Sequence, residues 1–82
     1  MSYVNLSGTR ISDQDLAEMD GLSDVDVLDL SGTQVTDAGL LHLKRLGRLQ
    51  MLVLDGTHVT ETGLDELRQA LPGIAILRSK TE

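Results

Sequence analysis

The stretch Leu28-Asp-Leu-Ser-Gly-Thr-Gln-Val-Thr-Asp-Ala-Gly-Leu40, with Leu43, Leu46 and Leu49 behind it, is the unit from which the rest of the chain is copied. A shift of 24 residues, Leu28 to Leu52, lays Leu52-Val-Leu-Asp-Gly-Thr-His-Val-Thr-Glu-Thr-Gly-Leu64 over it. The reverse shift brings Val4-Asn-Leu-Ser-Gly-Thr-Arg-Ile-Ser-Asp-Gln-Asp-Leu16 into register. A period of about 20 to 50 residues signals a solenoid, in which no unit buries its own apolar face and each does so by stacking on its neighbours.

Each copy opens with alternating apolar residues, as in Val4-x-Leu6, Leu28-x-Leu30 and Leu52-x-Leu54, the period of a short strand. Gly8-Thr9, Gly32-Thr33 and Gly56-Thr57 then break the strand into a turn. Ser12-Asp13, Thr36-Asp37 and Thr60-Glu61 follow, a hydroxyl suited to cap a helix and an acid favoured by the positive end of its dipole. Behind them Leu16, Met19 and Leu22, then Leu40, Leu43 and Leu46, then Leu64, Leu67 and Leu71 fall at spacings of three or four and predict one buried stripe per helix.

The third copy is one residue longer and ends at Pro72-Gly73, which stop its helix. Ile74-x-x-Leu77 then repeats the spacing Val25-x-x-Leu28 and Leu49-x-x-Leu52, which predicts a fourth strand from about 74 to 79 with Ser79 in the inward place of Leu30 and Leu54. The expected organisation is one domain over residues 1–82, with repeats at about 4–27, 28–51 and 52–76. Strand, turn, helix and return give a right-handed coil in which neighbouring parallel strands lie about 4.8 Å apart, so equivalent positions form ladders. Thr9, Thr33 and Thr57 form one such ladder, each hydroxyl expected to bond a main-chain group in or beside its turn.

Eighty-two residues hold one core, and a formal charge of −6, with seven basic residues against thirteen acidic, argues against nucleic acid. No cysteine is present, which excludes disulfides and thiolate chemistry. No apolar run nears the roughly 20 residues needed to cross a bilayer, and no secretory leader opens the chain, so a cytoplasmic protein without membrane contact is expected.

The alternation, the Gly-Thr turn and the Val-Thr-Asp-x-Gly-Leu helix start resemble a leucine-rich repeat protein, closest to the short repeats of the ribonuclease-inhibitor and cysteine-containing groups. The resemblance runs over residues 4 to 79, although Thr9, Thr33 and Thr57 stand where the cysteine-containing group carries Cys or Asn. It implies an α/β solenoid of about three repeats, parallel strands on the concave face and helices on the convex face, and a family theme of protein binding with partners that differ among members.

Strand residues between core positions point to the concave side. Three columns are expected there: Tyr3, Val27, Met51 and Ile76; then Asn5, Asp29, Val53 and Arg78; then Ser7, Ser31, Asp55 and Lys80. An apolar column flanked by charge marks a contact surface, with Tyr3, Val27, Met51, Val53 and Ile76 as contact residues and Asp29, Asp55, Arg78 and Lys80 setting orientation. Against this stands the preference of short strands for β-branched side chains that shield one another.

Catalytic constellations do not emerge. His42 and His58 belong to different elements, and His58 with Asp55 and Glu61 reads as solvated surface rather than a metal site. Ser7 and Ser31 have no histidine in their column, and Asp29 with Asp55 would need an enclosed pocket to work as an acid pair. A non-enzymatic scaffold that binds a protein or peptide without cofactor or metal is therefore expected. The alternative is a self-associating structural module, or a piece of a longer array, pairing through exposed ends such as the strand at Tyr3 to Ser7.

Overall fold

Val4, Leu28, Leu52 and Ile76 are the centres of four three-residue strands, and they stand side by side. In the computed structural model, which describes residues 2–19 and 22–78, the order is β1 (Tyr3–Asn5), α1 (Asp13–Glu18), β2 (Val27–Asp29), α2 (Asp37–Leu43), β3 (Met51–Val53), α3 (Glu61–Ala70) and β4 (Ala75–Leu77). The fold is α/β, with one four-stranded parallel sheet in the order β1-β2-β3-β4 and three helices. Each strand pairs with the copy of itself 24 residues away, since Tyr3 faces Val27, Val27 faces Met51 and Met51 faces Ala75.

The strands stop early because glycine turns them. Gly8, Gly32 and Gly56 take φ of 71°, 69° and 72°, a left-handed backbone that glycine adopts without a Cβ penalty. The next residue locks the turn: the hydroxyls of Thr9, Thr33 and Thr57 donate to the carbonyl oxygens of Leu6, Leu30 and Leu54 at 2.7, 2.7 and 2.8 Å. The threonine ladder thus works within each turn. Ser12, Thr36 and Thr60 sit in extended backbone at the N-caps, where the sequence expects them.

One side of the sheet is buried with the helices. Leu28, Leu30, Leu52 and Leu54 join Leu16, Leu40, Leu43, Leu64 and Leu67 in a single cluster, and Val4, Leu6, Ile11, Met19, Ile74 and Ile76 pack at its margins. The helices are shorter than the leucine stripe: Leu22, Leu46 and Leu71 lie beyond α1, α2 and α3 and are still buried. Backbone neighbours follow the repeat, with α1 against α2, α2 against α3 and each strand against the next.

The fourth strand corrects the expected register. Ile76 lies opposite Leu52, on the core side, rather than in line with Met51, and Leu77 lies opposite Val53. Arg78 follows one residue later, at the level of Leu54, and its guanidinium reaches Glu61 at 2.9 Å instead of completing the column of Asn5, Asp29 and Val53. The strand covers Ala75–Leu77; the expected places of Ser79 and Lys80 lie outside the described residues. The extra residue of the third repeat is real up to Ile74, whose amide donates to Leu71 O as Val25 does to Leu22 O and Leu49 to Leu46 O. It is taken up at the strand start. Asp26 and Val27 share Ser2 O, Gln50 and Met51 share Asp26 O, whereas β4 begins with Ala75 on Gln50 O.

Candidate functional site: the open face of the sheet

Because side chains alternate along a strand, the residues flanking each buried centre come out on the far side of the sheet. One row there is Tyr3, Val27, Met51 and Ala75, and the next is Asn5, Asp29, Val53 and Leu77. Tyr3 is 57% exposed and Leu77 49%, Ala75 is exposed, and Val27, Met51 and Val53 are half-buried by one another. Four strands at about 4.8 Å spacing make a strip about 14 Å wide.

The polar corner of this face is tied down by its own turns. Asn5 Oδ1 accepts from the amide and hydroxyl of Ser7 at 2.9 and 2.7 Å, and Asp29 Oδ1 from those of Ser31 at 3.0 and 2.7 Å. Val53 and Leu77 replace this polar acceptor on the last two strands, so the apolar strip widens from one row to two toward β4. Of the expected contact residues, Tyr3, Val27, Asp29, Met51 and Val53 come together here. Asp55 is half-buried beyond β3, in line with Ser31, whose carbonyl and its own accept from Gly8 and Gly32 respectively. Ile76 and Arg78 leave the group for the reasons given above, and Lys80 lies outside the described residues. Leu77 and Ala75, which the sequence reading left out, take their place; a strict 24-residue shift from Val53 and Met51 finds both.

The other candidate groupings stay apart. Glu61 is engaged by Arg78, and His58 contributes its amide to Val35 O at 3.1 Å in a line of contacts between turns. Among the described residues no three side chains of His, Cys, Asp or Glu converge as a metal site, and no helix is long and apolar enough to cross a membrane.

A second set of polar contacts joins one repeat to the next. Asp13 accepts from the Thr36 amide and hydroxyl, and Asp37 accepts from the Thr60 amide and hydroxyl. Arg45 Nη2 donates to Met19 O at 2.9 Å and Leu16 O at 3.4 Å, satisfying the end of α1 from outside. The sequence reading gave these acids only a dipole role. Comparison of the chain with protein-family profiles, curated proteins and solved structures finds no match.

Proposed function

We propose that the chain is a leucine-rich repeat module, a short right-handed solenoid whose open, concave sheet face holds a protein or peptide without catalysis. The architecture is supported by the 24-residue register that runs unbroken through four parallel strands, with a turn threonine, a hydroxyl residue at the helix N-cap and core leucines recurring in the three helical repeats. The observation that carries the binding role is the apolar strip: Tyr3 at 57% and Leu77 at 49% stand exposed at its ends, with Val27, Met51 and Val53 between them. A strip about 14 Å wide matches some four residues of extended chain at about 3.3 Å each. Exposed apolar area of this kind, edged by Asp29 and Asp55, is typical of contact surfaces, and Tyr and Met are favoured there for rigid area and adaptability.

The test compares capture of partners from the native source by the unaltered chain and by Val27→Asp and Met51→Asp. Neither side chain is part of the fully buried core, so both variants are expected to keep the circular dichroism of the parent and to lose the captured protein. Unchanged capture by both folded variants sinks the assignment of this face.

A further inference from the structure

Three residues make the joint between repeats: an acid at the first position of one helix, the N-cap threonine of the next helix, and a glycine at the third position of that next helix. They are Asp13, Thr36 and Gly39 at the first joint, and Asp37, Thr60 and Gly63 at the second. The glycines are buried, and a Cβ on Gly39 would collide with the Asp13 carboxylate and one on Gly63 with the Asp37 carboxylate. Glycine is thus the space into which the acid of the preceding repeat fits.

The first repeat departs from this pattern at the place where an incoming acid would land. Asp15 stands where Gly39 and Gly63 stand, and its Oδ2 accepts from the Ser12 amide at 3.0 Å and the Ser12 hydroxyl at 3.3 Å. Those are the two donors that Thr36 and Thr60 give to the repeat before them. At the other end Glu61, the third acid of the series, is held by Arg78 of its own chain. From this we infer that Asp15 closes the first helix start against the stacking of a second copy: it supplies from within the chain the acceptor that a preceding repeat would bring. It also fills the space with a carboxylate that repels an arriving Glu61. The sheet edges alone would invite head-to-tail growth, β4 of one molecule beside β1 of the next. Asp15 is the specificity-determining residue against it.

Three proteins decide the matter by sedimentation over a rising concentration series: the unaltered chain, Asp15→Ala, and Asp15→Gly combined with Glu61→Asp. Asp15→Ala loses the same capping bonds as the glycine variant but keeps a Cβ in the space; glycine also weakens α1 by about 1 kcal/mol relative to alanine, a loss that opposes association, so tighter association of the double variant reports the joint. The unaltered chain and Asp15→Ala are expected to show no head-to-tail association. The double variant is expected to associate roughly tenfold or more tightly than Asp15→Ala, the effect of regaining hydrogen bonds to a charged acceptor. Equal association of the double variant and Asp15→Ala overturns the inference. So does a chemical cross-link joining the Glu61 end of one unaltered chain to the Ser12 end of another.

Discussion

Gly39 sits inside helix α2, where glycine ordinarily costs about 1 kcal/mol relative to alanine, so Gly39→Ala would stabilise an isolated helix. Here the sign reverses, because the added methyl meets the Asp13 carboxylate on one side and Val35 and Leu16 on the others. Gly39→Ala is expected to lose about 1 to 3 kcal/mol by urea denaturation, the usual cost of overpacking. In the background of Asp13→Ala, which empties the space, the same substitution is expected to cost far less, a coupling that a double-mutant cycle reads directly. At this scale the sequence was legible where chemistry is local. Thr33, 2% exposed and bonded to Leu30 O, has the turn role its repetition suggested. The role of Asp13 and Asp37 is not legible locally, because their partners lie 23 residues away and the helix dipole acts only along the helix. The contrast of Ser-Asp-Gln-Asp-Leu16 with Thr-Asp-Ala-Gly-Leu40 was the visible sign, since a buried glycine in a helix needs something to occupy its missing side chain.

Among the elements, β4 is where counting along the chain gave way to hydrogen bonding. The residue inserted ahead of Pro72 shifts the sequence spacing by one, which predicts Leu77 inward and Ile76 outward. The ladder to β3 restores the register by dropping one residue at the strand start, after Gly73 turns with φ of 91°. The two registers make opposite predictions. Ile76→Ala is expected to cost about 1 to 2 kcal/mol, less than a fully buried deletion because the residue is at the margin of the core. Leu77→Ala is expected to stay within about 0.5 kcal/mol, as for surface changes in general. A urea midpoint that falls more for Leu77→Ala than for Ile76→Ala would favour the other register. Strand and helix order in β1 to β3 was legible because alternation and capping residues are local signals. The early end of α1 was not, since its last carbonyls are satisfied by Arg45 of the next repeat.

For the whole molecule, all buried leucines belong to one cluster, so no repeat holds a core of its own. Leu52→Ala, at the centre of β3, is expected to lower stability by about 2 to 5 kcal/mol. Tyr3, the only aromatic residue, reports on β1 at the far side of β2, and its fluorescence is expected to change in step with far-ultraviolet circular dichroism. Separated transitions would show that the repeats melt independently. The alternation of strands and helices in one parallel sheet was legible from the repeat, whereas the width of the apolar strip was not, because it depends on which side of β4 faces outward. The even step from each strand to the next has a kinetic side as well. Every pairing closes a loop of the same length, so no single contact carries a long-range entropic penalty that the others escape. Folding of such a chain can begin at whichever adjacent pair meets first and spread outward in both directions, without waiting for the two termini to find each other.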